Sequence, residues 1–276
     1  MKSPQDIWGQ LPWLKPEFFL LFWLLLWLPI AWGVGKRLHW RLGQPVSPDQ
    51  KLPLVLSLYA IAPLVIALTM DWDQQSLSSY GLRLTLKDGG VLLGGVAIAL
   101  GGLSLIFWQQ VQQGLMAWHV DKFKEALKLS PVFLLLATVI AGFEELIFRG
   151  IFQQQLGEIF PYWSAAVIIS IGFALLHLLW ERQLTRWQLP GLWLLGMVMA
   201  LACWLQRGNL ALAIGLHGGW VLGLALSDSV KLITYPDDEG NWWVGIGNQP
   251  LAGAAGILCI SLTGFGLWGG AVLLAG

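Results

Sequence analysis

Eight long apolar stretches, joined by polar connections, make up more than half of this chain. They run Phe18 to Val34, Leu52 to Met70, Gly89 to Trp108, Pro131 to Phe152, Tyr162 to Trp180, Pro190 to Leu205, Leu210 to Leu226 and Leu251 to Ala275. A helix needs about 20 apolar residues to cross the ~30 Å of hydrocarbon in a bilayer, and in lipid the backbone must satisfy its own hydrogen bonds. The spacing therefore predicts an all-α polytopic membrane protein of eight transmembrane helices. Composition agrees. Of 276 residues 56% are apolar and 12% are charged, where a soluble domain carries about a quarter charged.

The sixth and seventh stretches are separated only by Gln206-Arg207-Gly208-Asn209, a tight turn. The first stretch begins late, is rich in Trp and has no small-residue cleavage site after it, so it reads as a span rather than a signal peptide. Trp13, Trp40, Trp72, Trp108, Trp163, Trp180 and Trp187 lie near span ends, where an indole suits the headgroup level. Between the third and fourth spans, Gln109 to Ser130 places Leu115, Met116, Val120, Phe123 and Leu127 at helical spacing, with Asp121, Lys122, Lys124, Glu125 and Lys128 opposite. That pattern predicts a helix lying on the membrane surface. Ser227 to Pro250 reads as a solvated loop, its Asp237-Asp238-Glu239 and Trp242-Trp243 also suited to cover a site mouth. No internal repeat or soluble domain stands out, and the whole chain, 1–276, reads as one integral membrane domain.

Lys plus Arg and Asp plus Glu number 16 each, so no basic excess points to a nucleic-acid partner. Loops assigned to one side carry about twice the Lys and Arg of the other, which places both termini on the non-cytoplasmic face of a bacterial-type or organellar inner or plasma membrane. Cys203 and Cys259 lie in apolar runs without ligand spacing and read as small packing residues.

The chemistry must come from polar groups where lipid disfavours them. Glu144, Glu145 and Arg149 fall inside the fourth span, and each charge at a helix centre costs ~2.5 to 3.5 kcal/mol unless paired or hydrated. Glu145 and Arg149, four apart, suit an ion pair, which leaves Glu144 uncompensated. His177 in the fifth span and His217 in the seventh are the intramembrane imidazoles; His39 and His119 fall in polar connections. A carboxylate facing two imidazoles supplies a base for water, an acid for a leaving group and a donor for an oxyanion. The same Glu144, His177 and His217 suit a divalent metal such as Zn that activates water. By depth along their spans Glu144 and His217 share a level, while His177 lies nearer one membrane face.

Glu144-Glu145-Leu-Ile-Phe-Arg149, then Phe173-x-x-x-His177, then His217 in a later span, resembles the CPBP family of intramembrane proteases, also called ABI or CAAX-protease-like. The resemblance covers a core of about 131–226, with a weaker echo in Tyr80-Gly81-Leu82-Arg83. It implies an intramembrane catalytic cavity and an endopeptidase acting on membrane-embedded or lipidated proteins, with Glu144 as general base or metal ligand. His177 would assist the water, His217 would bind the oxyanion, and Glu145 and Arg149 would position them. The family commonly carries Asn or Asp four residues after the last His, where this chain has Val221; losing one such donor costs ~3 to 4 kcal/mol of oxyanion stabilisation. The alternative from another class is a noncatalytic transporter, scaffold or immunity protein that uses the Glu-Glu-Arg cluster as a structural or proton-binding site.

Overall fold

The computed structural model describes residues 15–41, 47–83, 85–179, 182–236 and 240–275. Trp13, Trp180 and the acidic run Asp237 to Glu239 lie outside the described residues. Helices α1 (Lys15–Arg37), α2 (Pro48–Asp73), α3 (Leu86–Gln112), α4 (Phe123–Glu145), α5 (Gln153–Gly157), α6 (Tyr162–Leu176), α7 (Arg182–Leu205), α8 (Ala211–Ser229) and α9 (Ala254–Ala275) follow in order. A π-helical stretch, Leu146–Phe152, makes α4 and α5 one continuous rod. Eight of the resulting helical rods are long and apolar enough to cross a membrane, so the chain is an integral, multi-pass, all-α membrane protein. Side chains such as Leu135, Phe265 and Leu273 are largely exposed, as expected of a surface whose solvent is lipid.

Helix α8 is the axis of the bundle. From Ala211 through Trp220 every residue is buried, so this helix is covered on all sides. Small residues let its neighbours close in. A Cβ at Gly95 of α3 would come within 2.9 Å of backbone atoms of Leu212 and Leu216, and one at Gly219 of α8 within 2.6 Å of Ala99 Cβ and 3.0 Å of the Val96 backbone. Such close backbone approach supplies the van der Waals attraction that lipid-embedded helices lack from hydrophobicity. Gly215 and Gly219, two residues to either side of His217, are thus packing residues for α3, and they fix the height at which His217 sits.

Connections at one end lock the same helices. Arg207 and Gly208 adopt positive φ, 52° and 82°, which closes the turn between α7 and α8. Asn209 Oδ1 accepts the Ala211 amide at 2.8 Å, and its Nδ2 donates to Asp88 Oδ1 at 2.6 Å. Asp88 and Thr85 form a capping box at the start of α3, so the N-termini of two parallel helices are tied by capping groups. Tyr80-Gly81 backs this end: the Gly81 carbonyl accepts the Leu210 amide at 3.0 Å, and a Cβ at Gly150 would lie 2.7 Å from the Tyr80 carbonyl.

One expectation needs correction. Gln109 to Ser130 is not a separate surface helix. Its start completes α3, Ala117–Trp118 pairs antiparallel with Ile233–Thr234, and Phe123 onward continues into the fourth span. That rod, Val120–Gly157, has 38 residues, more than the ~20 a span requires, so its amphipathic beginning projects beyond the hydrocarbon. Pro131 does not break it, because Ser130 Oγ donates to the Leu127 carbonyl at 2.9 Å, the acceptor that the proline cannot serve. The Ser227–Pro250 loop, for its part, follows the far end of α8 from Leu210 and packs on the α3–α4 connection through that strand pair and a 3.0 Å bond from Trp243 Nε1 to Gln109 Oε1. Its described part therefore sits at the end of the bundle opposite the Gly208 turn.

Candidate functional site

Helix geometry alone would point Glu144 and Glu145 about 100° apart, so two adjacent carboxylates cannot serve the same neighbour in the same way. The structure separates them accordingly. Glu145 is fully buried; its Oε1 accepts Arg149 Nη1 at 3.2 Å and His217 Nδ1 at 2.7 Å. Glu144 is half-buried, its side chain 14% exposed, with Oε2 3.5 Å from His217 Nε2. Its Oε1 accepts the Tyr59 hydroxyl of α2. A carboxylate only accepts, so Nδ1 of His217 is the protonated nitrogen toward Glu145 and Nε2 is the one turned to Glu144.

The charged motif stands where the rod changes from α to π. All seven π residues, Leu146 to Phe152, are buried, and such wider turns recur at functional sites. Around them pack Phe19 of α1, whose ring lies 5.0 Å from that of Phe152, and Phe173 of α6, 5.2 Å from Phe148. Arg149 spreads its guanidinium 4.8 Å over the Phe173 ring, a cation–π contact worth more in a desolvated setting. Its Nε and Nη2, with Glu145 Oε2 and Ser170 Oγ, make no hydrogen bond among the described residues.

Four of the five expected residues, Glu144, Glu145, Arg149 and His217, form one network. His177 is not hydrogen-bonded to it. It caps α6 at a short 3-10 turn, donates from Nδ1 to the Phe173 carbonyl at 2.8 Å, and so leaves Nε2 as the free nitrogen. Phe173 links the halves: its ring centroid lies 4.6 Å from that of His177 and 6.0 Å from that of His217. Among the described residues no group of three His, Cys, Asp or Glu is placed to hold a metal ion, so Glu144, His177 and His217 do not form a three-ligand set as arranged. Val221, one turn beyond His217, is half-buried and apolar. Cys203 and Cys259 are buried free thiols.

Tyr59 is the residue that sequence reasoning missed. It is a polar tip in an apolar span with no motif around it, and only the carboxylate it meets 85 positions later distinguishes it from an anchoring tyrosine.

An all-α membrane bundle that gathers a doubled Glu, an Arg and a His around its most buried helix defines an intramembrane protein with a charged central site. Residues 126–223 match the family described as Type II CAAX prenyl endopeptidase Rce1-like, a stretch that runs from α4 through α8 and contains all five expected residues. This stretch is therefore similar to the Rce1-like domain of the CPBP, or CAAX-protease, family, a match that supports a CAAX-type intramembrane protease kind of function. No curated protein and no solved structure matches the chain.

Proposed function

We propose that this protein is an intramembrane endopeptidase that hydrolyses peptide bonds of membrane-associated, prenylated CAAX-type proteins with a water activated by Glu144. The observation that carries the reading is the 3.5 Å approach of Glu144 Oε2 to His217 Nε2 inside a buried network. With His217 as imidazolium, Glu144, Glu145, Arg149 and His217 sum to zero charge, the arrangement that low-dielectric surroundings tolerate best. Glu144 takes a proton as the water oxygen bonds to the carbonyl carbon, and the His217 Nε2–H donates to the resulting oxyanion. Collapse of the tetrahedral species breaks the C–N bond, and the proton held by Glu144 passes to the leaving amine. Glu145 keeps His217 in the required protonation geometry, as a carboxylate behind an imidazole does in hydrolytic triads. His177, across Phe173, keeps Nδ1 on the Phe173 carbonyl and so leaves Nε2 available to the peptide or water.

The membrane orientation extends the same reading. Eight spans put both chain ends on one side, and the Lys and Arg bias makes that side non-cytoplasmic.

The test is cleavage of a farnesylated C-terminal peptide by purified protein in detergent. Wild-type cleavage that is lost in Glu144→Ala and His217→Ala is the expected result; no cleavage by the wild type, or cleavage that survives both substitutions, ends the proposal. Substrate-dependent flux into liposomes abolished by Glu145→Gln would favour the transporter alternative instead.

A further inference from the structure

The Rce1-like match begins at residue 126, yet one side chain bonded to Glu144 comes from well before it. We propose that Tyr59 of α2 is a positioning residue of the active site, holding Oε1 of Glu144 so that Oε2 alone is offered to His217 and the attacking water. The inference rests on the hydrolytic reading above and adds a residue to it.

The placement of Tyr59 is built rather than incidental. Its phenol donates to Glu144 Oε1, while its ring stacks on Phe143, the neighbour of Glu144, at 6.2 Å and 21°. Trp23 of α1 meets the same ring in an edge-type contact at 6.4 Å and 66°. The two residues before Tyr59 are gripped by indoles of α1: Trp23 Nε1 donates to the Leu58 carbonyl at 3.1 Å and Trp27 Nε1 to Ser57 Oγ at 3.0 Å. Helix α1 thereby fixes the rotation of α2 about its axis at the residue where the hydroxyl must face inward. Pro63, four positions on, has no N–H for the Tyr59 carbonyl, so this turn of α2 depends on those side-chain bonds more than an ordinary helical turn.

The consequence for the chemistry is geometric. A carboxylate in an apolar cavity has two equivalent oxygens and a freely rotating plane. A hydrogen bond to the charged group, about twice as strong as a neutral one, makes the oxygens inequivalent and sets the plane. With Oε1 occupied, a proton from water is received on Oε2, the oxygen beside His217 Nε2, where the oxyanion donor also stands. The phenol keeps its proton throughout, so no atom of Tyr59 is transferred.

Tyr59→Phe keeps the ring and its contacts with Phe143 and Trp23 while removing the hydroxyl. With a farnesylated peptide the expected result is a kcat about 10- to 100-fold lower with KM unchanged, and thermal unfolding in detergent close to the wild type. A second readout does not depend on proteolysis. Dicyclohexylcarbodiimide adds covalently to intramembrane carboxyl groups, and mass spectrometry locates the adduct. In Tyr59→Phe the rate of labelling at Glu144 should rise several-fold, because the oxygen the phenol covered is free, while Glu145 stays unlabelled. Equal labelling rates at Glu144 in the two proteins overturn the inference, as does an unchanged kcat. If the wild type cleaves no peptide, the protease reading falls by itself, and the labelling comparison still decides whether Tyr59 governs Glu144.

Discussion

Glu145 accepts the Nδ1 proton of His217 at 2.7 Å, and the same oxygen accepts Arg149. One fully buried carboxylate oxygen thus joins a guanidinium on its own rod to an imidazole on the central helix. The pair extends the division of labour that the spacing suggests. Glu145 is more than the partner of Arg149; it also orients the imidazole that faces Glu144.

Glu145→Gln tests that role. The amide oxygen can still accept from one donor, but its NH₂ meets either Arg149 or His217 as a second donor, and the charge that stabilises an imidazolium is gone. A fall in kcat of roughly 10²- to 10⁴-fold is expected, by analogy with neutralising the carboxylate behind a catalytic imidazole. Steady-state cleavage of a farnesylated peptide measures it.

Arg149 supports the site through charge and stacking. Arg149→Ala leaves Glu145 buried with half of its compensation removed, a loss of about 3 to 5 kcal/mol. Arg149→Lys restores the charge without the planar face over Phe173, so it should recover only part of the stability. Thermal denaturation in detergent ranks the three proteins, and a Lys variant as stable as the wild type would show that the stacked guanidinium contributes nothing.

Gly218 and Gly219 make a paired experiment on helix packing. A Cβ at Gly219 meets Ala99 and the Val96 backbone at 2.6 and 3.0 Å, whereas one at Gly218 finds nothing closer than 3.5 Å. Gly219→Ala should destabilise by ~1 to 3 kcal/mol and lower cleavage by pushing α8, and His217 with it, away from α3. Gly218→Ala should be tolerated. Similar melting temperatures for both variants would remove close α3–α8 packing as the device that places His217.

Val221→Asn introduces an amide one turn from His217 on the half-buried face of α8. If the oxyanion lacks a second donor, the substitution should raise kcat about tenfold, within the range one oxyanion donor contributes. Comparison of kcat for the two proteins on the same peptide checks it.

Chelation separates the two ways of activating water. Because Glu144, His177 and His217 do not form a three-ligand set, cleavage should persist after prolonged treatment with 1,10-phenanthroline. Loss of activity restored by adding back Zn would reinstate a metal-activated water held by a rearranged site.

The sequence by itself determined the membrane spans, the tight turn at Gln206 to Asn209, and the depth that Glu144 and His217 share, because all of these follow from local hydrophobicity and helical rise. It also singled out Glu144, Glu145, Arg149, His177 and His217 as candidates, since charge and imidazole inside apolar runs are conspicuous. Only the tertiary structure decided who touches whom. That His217 turns one nitrogen to each glutamate depends on how α4 and α8 rotate about their axes, and the close packing of α8 on α3 at Gly95, Gly215 and Gly219 holds α8. The amphipathic beginning of α4 matched a surface helix equally well by periodicity, because a helix that projects from the membrane and one that lies on it share a single period. Tyr59 was invisible for the same reason. A hydroxyl in an apolar span acquires meaning only from the carboxylate across the bundle.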